Sequence, residues 1–256
     1  MKKSGANSQE QKVYGHHACS TLFKQRPSDI IKAVIIKEKL SLYTDLVKYL
    51  AQHKKAYQLA TEDEIETFSK STHHEGICLL SKSKKITPLA IWKKNAQNRN
   101  NILILALDQI ENPHNLGAII RSAAHFAVDA IFYQANRDLH LDGSVARVAQ
   151  GGCEYVDIFR VADWNELTQW CSATKTLIFT TSDKAKESLG PNSCPARCCM
   201  VLGSEARGLS TYWNKIASQL VKIDGTNVVQ SLNVSVAADI LCATYRQKYA
   251  CQKYPS

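Results

Sequence analysis

The chain has 256 residues, of which 45% are hydrophobic and 21% are charged. This length allows two ordinary compact domains or one large domain, and the composition excludes disordered and fibrous chains. The net charge is +9, and the whole excess lies in residues 1–99, which carry 18 Lys and Arg against 9 Asp and Glu, whereas residues 100–256 carry 14 of each sign. A basic first part favours RNA or DNA as a partner, because it can contact phosphates and release counterions. A basic face that only keeps the chain soluble is the alternative.

The first third of the chain alternates helical and extended patterns. Residues 1–11 are polar and predict a disordered tail, and residues 14–23 suit a short helix. The β-branched run at 30–36 predicts a buried strand, and apolar residues at helical spacing follow it. Thr61 and Glu64 form a capping-box pattern that opens another helix, between predicted strands at 56–59 and 77–80. This alternation predicts a small α/β domain over residues 12–82.

Residues 83–101 are polar and basic and predict a linker, although its apolar centre at 89–92 favours docking on a neighbouring surface. A second α/β pattern follows over residues 102–256. Its predicted strands and helices lie at 102–107, 116–126, 130–133, 176–181, 199–202, 221–223 and 232–251. The alternation predicts a mainly parallel sheet covered by helices, with ligands at the carboxyl ends of its strands.

Cysteine usage indicates a reducing compartment. The nine cysteines are an odd number and are scattered along a chain with no apolar leader and no run long enough to span a bilayer. We therefore expect a cytoplasmic protein without a membrane segment. Cys194, Cys198 and Cys199 form a cluster, but no CxxC or Cys/His pair lies nearby to complete a four-ligand zinc site. Ordinary buried thiols are the preferred interpretation, and we predict no metal.

Three segments of the second pattern carry polar residues where strands give way to helices. The first, at 112–121, reads Asn-Pro-His-Asn-Leu-Gly-Ala-Ile-Ile-Arg. Asn115 lies near the predicted helix start, where its amide can cap the helix or hold a ligand. Arg121 lies nearly two turns further on, beside apolar residues. It is either a functional cation or a structural residue on the surface or in an ion pair.

The second segment, at 202–210, reads Leu-Gly-Ser-Glu-Ala-Arg-Gly-Leu-Ser and follows an apolar strand directly. Gly203 and Gly208 suit a tight loop whose backbone can approach a ligand, and Glu205 supplies an acidic group at the end of the strand. Any turn between a strand and a helix can use glycine in this way, so the segment alone does not decide a function.

The third segment, at 223–238, is a polar loop that leads into a helix of small residues. Ser231 is the predicted N-cap of that helix, and Asn233 lies in its first turn, where unpaired N–H groups can hold a ligand. Helix capping and close packing without a ligand are the alternative.

In this order and at these separations, the three segments resemble the sequence motifs of the SpoU (TrmH-like) branch of the SPOUT RNA 2′-O-ribose methyltransferases. The resemblance covers residues 102–247, and Ser-Leu-Asn-Val-Ser-Val-Ala at 231–237 is its strongest part. Tyr-Gly-His-His-Ala at 14–18 and His-His-Glu-Gly-Ile at 73–77 resemble the L30e/L7Ae-type RNA-binding domain that precedes the catalytic domain in several such enzymes. Family members commonly have proline in place of Asp224 and glycine in place of Asn227, and asparagine tolerates left-handed backbone angles better than most residues.

The resemblance implies a SPOUT domain with a deep trefoil knot, S-adenosylmethionine as cofactor, and 2′-O-ribose methylation of structured RNA, either rRNA or tRNA. It places the ribose and its hydroxyl at Arg121, Asn115, Glu205, Ser231 and Asn233. It places the cofactor, mainly through backbone groups, at Thr180, Leu202, Gly203, Gly208, Ile223, Ser231 and Leu232. It also implies a homodimer that packs through the knot helices.

The family often assigns Arg121 the role of general base. A guanidinium is very hard to deprotonate, so we prefer Arg121 as the cation that stabilises a developing alkoxide. Two other functions remain open at this point. One is an RNA-binding protein on the same fold that has lost catalysis. The other is methyl transfer to a base, which the Ser-Leu-Asn segment disfavours because it is the form of the ribose-modifying branch.

Overall fold

The computed structural model describes residues 10–134, 141–182, 185–204, 207–226, 228–229 and 231–249. The chain folds as two compact units. The first comprises the described residues of Met1–Lys85 and His140–Glu154, and the second those of Ile86–Leu139 and Tyr155–Ser256. No helix among these described residues is long and apolar enough to cross a membrane.

The first unit is built on a mixed four-stranded sheet in the order β1-β4-β2-β3, where β2 pairs antiparallel with β4 and parallel with β3. Its elements are β1 (Glu10–Tyr14), α1 (His16–Gln25), β2 (Ile30–Ile36), α2 (Thr44–Gln52), β3 (Ala56–Ala60), α3 (Glu62–Ser69) and β4 (Ile77–Lys82). β2 forms at the predicted β-branched run, and its apolar side chains contribute to cores on both sides of the sheet. The predicted capping box at Thr61 and Glu64 is present and opens α3.

Two predictions at the start of the chain are wrong. Glu10 and Gln11, assigned to the disordered tail, are the first residues of β1 and pair with Lys82 and Ser81 of β4. The predicted helix at 14–23 begins only at His16, because Tyr14 ends the strand and Gly15 turns the backbone at a φ of 94°.

Within the predicted second domain over 102–256, the contacts of one segment lie with the first unit. Residues within His140–Glu154 belong to the first unit, and they include helix α6 (Gly143–Val148). A Cβ on Gly143 would lie 2.4 Å from Cε1 of Tyr14, so this position requires glycine. At the end of the segment, Arg26 Nε donates to Glu154 Oε2 at 2.8 Å. This ion pair joins residues 128 positions apart, which local sequence patterns do not reveal.

The second unit confirms the predicted α/β fold with a mainly parallel sheet. Its seven strands lie in the order β7-β6-β5-β10-β8-β11-β9, and every pairing between them is parallel. The strands are β5 (Ile102–Leu107), β6 (Ala130–Gln134), β7 (Asp157–Val161), β8 (Leu177–Thr181), β9 (Glu187–Ser188), β10 (Arg197–Leu202) and β11 (Gln219–Lys222). The helices are α4 (Leu89–Ala96), α5 (Pro113–His125), α7 (Asn165–Ala173), α8 (Thr211–Ile216) and α9 (Val234–Lys248). Since parallel strands end at one edge of the sheet, the loops that follow them lie there together.

The predicted linker at 83–101 contains α4, which belongs to the core of the second unit. Trp92 of α4 is buried, and its ring lies 5.5 Å from that of Phe132 and 5.4 Å from that of Trp170. The apolar centre of the linker therefore docks, as its composition suggested. Trp92 and Ala96 are the buried residues of this short helix, and their spacing of four places them on one face.

Candidate active site

The first and third segments meet through two asparagines. Asn115 is 6% exposed in the first turn of α5, and its Oδ1 accepts a hydrogen bond of 3.1 Å from Nδ2 of Asn233. Oδ1 of Asn233 accepts from the backbone N–H of Ser235 at 2.8 Å. Because a backbone N–H can only donate, this second contact fixes which end of the Asn233 amide faces Asn115.

Asn233, rather than the predicted Ser231, is the N-cap of α9. The helix begins at Val234, so the residue that can reach the first unpaired N–H groups is Asn233. Ser231 and Leu232 are exposed and lie in the loop just before the cap. The cap prediction was wrong by two residues, although the segment leads into a helix as expected.

The other ends of α5 and α9 are joined as well. Arg246, near the end of α9, donates from Nε to the backbone oxygen of Phe126 at 2.6 Å and from a terminal nitrogen to that of Ala127 at 2.7 Å. These carbonyls follow α5, where a cation satisfies groups that the helix leaves unpaired. The two helices are therefore tied at both ends and run in the same direction.

Four of the residues predicted to hold the cofactor lie at neighbouring strand ends. Thr180 of β8 is paired with Val201 of β10 and with Leu220 of β11, so these three strands are adjacent. Leu202 is the last residue of β10, and Gly203 and Ile223 each follow a strand end directly. The structure thus brings Thr180, Leu202, Gly203 and Ile223 to one edge of the sheet.

The second segment folds back on itself. Ser204 and Gly208 pair across a tight loop, in which each backbone N–H donates to the other's oxygen at 3.2 and 2.8 Å. A Cβ on Gly203 would lie 2.4 Å from the carbonyl carbon of Gly208, and Gly208 has a φ of 64°. Both glycines are therefore required by the backbone. Glu205 lies outside the described residues.

Arg121 lies on the exposed side of α5. It is six residues beyond Asn115, which places its side chain about 120° around the helix from that of Asn115. Among the described residues the Arg121 guanidinium has no hydrogen-bond or ion-pair partner. The structure therefore brings Asn115 and Asn233 into contact and leaves Arg121 on the open surface of the same helix.

Two residues of the third segment, Asp224 and Asn227, differ from those that family members commonly have in the predicted cofactor loop. Asp224 is exposed, and Lys222 Nζ lies 3.3 Å from its Oδ1. A hydrogen bond from Ser188, together with Lys222, holds the pKa of the Asp224 carboxyl below its usual value. A negative charge therefore stands next to Ile223 where family members commonly have proline. Asn227 lies outside the described residues.

Sequence reasoning missed Asp108. This residue follows β5 directly and is 1% exposed, and its Oδ2 accepts a hydrogen bond of 2.6 Å from the backbone N–H of Ser210. The contact fixes the end of the second segment to the loop that leads to the first. An acidic residue immediately after a fully apolar strand was the available signal.

The cysteine cluster is buried, as predicted. Cys194, Cys198 and Cys199 are at most 1% exposed with free thiols, and burial raises the pKa of the Cys198 thiol well above its ordinary value. Eight described cysteines have free thiols.

One histidine and two carboxylates of the first unit also lie close together. The ligand atoms of Glu62, Glu66 and His74 are within 4.8 Å of one another. However, the backbone N–H of Gly76 donates to Nδ1 of His74 at 3.0 Å, so the neutral ring carries its proton on Nε2. A metal-bound histidine normally donates from its other ring nitrogen. Nε2 lies 3.4 Å from Oε1 of Glu62 but makes no hydrogen bond with it, and a protonated Nε2 does not favour a metal ligand.

Comparison with known proteins identifies the family of the chain. The SpoU rRNA Methylase family model matches residues 102–243, more than half of the chain. The chain belongs to the SpoU rRNA methylase family. A second model, described as RNA 2′-O ribose methyltransferase substrate binding, matches residues 12–87. The family recognised from the three segments is confirmed.

Two relatives illustrate the range of similarity within the SpoU family. An Escherichia coli O157:H7 protein named "Uncharacterized tRNA/rRNA methyltransferase YfiF" is 36% identical over 234 residues, which are 91% of this chain and 67% of the relative. A Salmonella typhi protein named "23S rRNA (guanosine-2'-O-)-methyltransferase RlmB" is 27% identical over 89% of this chain and 94% of its own length.

Solved structures confirm the SPOUT-type α/β fold. The AdoMet-bound rRNA methyltransferase from Sinorhizobium meliloti superposes with a TM-score of 0.74 at 17% identity, over 94% of this chain and 88% of that one. AviRb from Streptomyces viridochromogenes, a SpoU methyltransferase solved with AdoMet, gives a TM-score of 0.73 at 18% identity, over 93% and 90% of the two chains.

Proposed function

We propose that this protein methylates the ribose 2′-hydroxyl of structured RNA, with S-adenosylmethionine as methyl donor. The observation that carries the proposal is the hydrogen bond between Asn115 and Asn233, which joins the first and third family motifs. Family membership and the AdoMet-bound structures of similar fold support it. The relatives named as tRNA/rRNA and 23S rRNA methyltransferases make rRNA or tRNA the substrate class.

The cofactor site is assigned to the strand ends of β10, β8 and β11 and to the loop before α9. The residues present fit such a ligand, because backbone groups just beyond paired strands can bind an amino acid and a nucleoside. Leu202, Gly203 and Ile223 supply the backbone, Gly208 closes the loop beside Gly203, and Thr180, Ser231 and Leu232 complete the set. When bound, S-adenosylmethionine supplies a methyl group on a good leaving group.

The protein must then align the 2′-oxygen and stabilise the charge that develops on it. Alignment is the main contribution in an in-line displacement of this kind. We assign this task to Asn115 and Asn233, which hold each other's amides in place, together with Ser231 and Glu205. Arg121 has a free guanidinium among the described residues, and we assign it to the developing alkoxide and the adjacent phosphate.

The first unit is assigned to RNA binding. It contains most of the residues that carry the excess of cations, and the substrate-binding family model covers it. Phosphate contacts would supply affinity without choosing the nucleotide.

We further propose a homodimer that packs through α9, and a trefoil knot formed by the segment around it. Val236, in the first turn of α9, is 42% exposed, and Leu232 and Val229, in the loop before that helix, are 44% and 72% exposed. A dimer would cover this apolar surface. Light scattering at micromolar concentration should give twice the chain mass, and Leu232→Asp with Val236→Asp should give the monomer mass. Leu177→Asp, at an exposed leucine on β8, is the control.

We assign the protein to the cytoplasm, because the free thiols of the eight described cysteines suit a reducing compartment.

Calorimetric titration with S-adenosylmethionine tests the cofactor assignment. Saturable binding to the wild-type protein is expected. If wild-type protein bound no cofactor at millimolar concentration, the proposed activity would be wrong, and an RNA-binding protein on the same fold would replace it. Gly203→Val should abolish binding, because the added side chain would collide with the backbone of Gly208.

A further inference from the structure

Asp108 contacts both ends of the second family segment, residues 202–210. It follows β5 directly, and its backbone N–H donates to the backbone oxygen of Leu202 at 2.8 Å. Its Oδ2 accepts a hydrogen bond of 2.6 Å from the backbone N–H of Ser210. Leu202 ends β10, and Ser210 immediately precedes α8. A single residue beyond the neighbouring strand β5 therefore holds the two ends of the segment together.

The loop between these two ends contains glycine backbone that we assign to the cofactor. Gly203 and Gly208 approach so closely that a Cβ on Gly203 would lie 2.4 Å from the carbonyl carbon of Gly208. The backbone N–H of Arg207 donates to Oγ of Ser204 at 3.1 Å. These contacts order the described part of the loop from within, whereas the contacts of Asp108 attach its two ends to the sheet.

The carboxylate of Asp108 is buried, since the residue is only 1% exposed. Among the described residues no Lys, Arg or His forms an ion pair with it, and the Ser210 N–H is its hydrogen-bond donor. A hydrogen bond from an N–H to a carboxylate is stronger than one between neutral groups, and a buried charge without a donor is costly. The contact therefore fixes Ser210 in a place where water does not compete for the carboxylate.

We propose that Asp108 is a positioning residue that keeps this loop ordered for S-adenosylmethionine, an inference that rests on the proposed function. Asp108 is outside the assigned cofactor set and acts through Leu202 and Ser210. A ligand binds more tightly when the backbone that contacts it is ordered beforehand, because the cost of ordering is then not taken from the binding free energy. Without the carboxylate, the Ser210 end of the loop is released. The apparent affinity then falls in proportion to the fraction of molecules whose loop is ordered.

Asp108→Ala tests this inference, because it removes the acceptor for Ser210 and keeps the backbone contact with Leu202. In calorimetric titration of the full-length protein, the Kd for S-adenosylmethionine should rise about tenfold or more, as expected for loss of a hydrogen bond to a charged group. The rate of methyl transfer at saturating cofactor and RNA should change less than about twofold, because bound cofactor orders the loop again. The KM for the cofactor should therefore change without a comparable change in kcat.

Asp129→Ala is the matched control. Oδ2 of Asp129 accepts a hydrogen bond of 2.9 Å from the backbone N–H of Leu103, so the same kind of contact is lost near the amino end of β5. This variant should lower thermal stability and leave the cofactor Kd unchanged. Asp108→Asn keeps an uncharged acceptor for the Ser210 N–H, and its cofactor Kd should lie between those of the wild-type protein and Asp108→Ala.

Hydrogen exchange adds a readout that needs no cofactor. In Asp108→Ala, exchange in peptides that contain Gly208 and Ser210 should accelerate roughly tenfold or more, while peptides from β6 keep the wild-type rate. Unchanged exchange in that loop, or an equal cofactor Kd for wild-type protein and Asp108→Ala, would overturn the inference and leave the proposed function standing. An equal rise of the Kd in Asp129→Ala would also overturn it, because the effect would then be general destabilisation. If wild-type protein bound no cofactor, the proposed function would be wrong, and the inference would be wrong with it.

Discussion

The two units are built on different sheets, and we propose different tasks for them. The first has a mixed four-stranded sheet, and the second has a seven-stranded parallel sheet whose loops converge at one edge. The net positive charge lies in residues 1–99, whereas the three family segments lie in 102–243. A parallel sheet gathers polar loops at one place, and a basic surface gives affinity for a polyanion without gathering anything. We therefore expect that substitutions can alter methyl transfer and RNA affinity separately, and four sets of variants test this expectation.

Substitution of Arg121 should cause the greatest loss of activity. Arg121→Ala should lower methyl transfer about 10²–10³-fold, as removal of one charge-stabilising donor commonly does. Cofactor affinity should stay unchanged, because the assigned cofactor residues lie on other elements. His125→Ala, one turn further along the exposed side of α5, is the control. Near-normal methylation by Arg121→Ala would show that the site is assigned wrongly.

Leu22→Ala should weaken the first unit alone. Leu22 is fully buried in α1, and removal of a core leucine costs about 2–5 kcal/mol. Hydrogen exchange should accelerate in peptides from β2 and stay unchanged in peptides from β5. Leu42→Ala, at a leucine that is 63% exposed, should change neither. Equal acceleration in both units would mean that they unfold together.

Reversing the charge of two lysines in the first unit should reduce the affinity for RNA and leave the rate of methyl transfer at saturating RNA unchanged. Lys48→Glu with Lys54→Glu changes two exposed residues of that unit. Each lost phosphate contact should cost roughly fivefold in affinity at 0.1 M salt, from a slope of about 0.7 for single strands. Filter binding over a salt series measures both affinity and slope. Lys215→Glu, in the second unit, is the control, and an equal loss there would disprove the division of labour.

Two substitutions of Asn233 distinguish its role as the N-cap of α9 from its role in aligning the ribose. Asn233→Ala removes the N-cap of α9 and should lower stability by about 1 kcal/mol. Asn233→Asp keeps a good cap but loses the Nδ2 donor to Asn115. It should fold with nearly normal thermal stability and still lose most of its methyl transfer. If Asn233→Asp were fully active, the contact with Asn115 would have only a structural role.

The sequence predicted the elements whose signal is local. The β-branched run of β2, the apolar run of β5 and the capping box at Thr61 were placed correctly within a residue or two. The three segments also identified the family, because their residue types and spacing are specific. Local patterns could not show that α6 and Glu154 belong to the first unit, since this depends on Tyr14 and Arg26, more than 120 positions earlier.

The site was predicted by residue type more than by position. Ser231 was the preferred cap because serine favours N-caps, yet the helix begins at Val234 and Asn233 fills that role. The loops that follow β5 and β7 were not foreseen as neighbours, because Asp108 comes directly after β5, whereas Asp163, just before α7, and Asn165, its first residue, lie more than 50 positions later. The fold determines the distances between residues that are far apart in the chain, and local sequence patterns do not predict these distances.

In the proposed reaction, the guanidinium of Arg121 on α5 and two mutually bonded asparagines direct a methyl group to a ribose oxygen. Wild-type protein and Arg121→Ala should be incubated with total RNA and methyl-labelled S-adenosylmethionine, and the RNA then hydrolysed with alkali. Because 2′-O-methylation blocks alkaline cleavage, we expect label in alkali-resistant dinucleotides from the wild-type reaction and almost none from Arg121→Ala. Label in mononucleotides, or equal labelling by the two proteins, would contradict this mechanism.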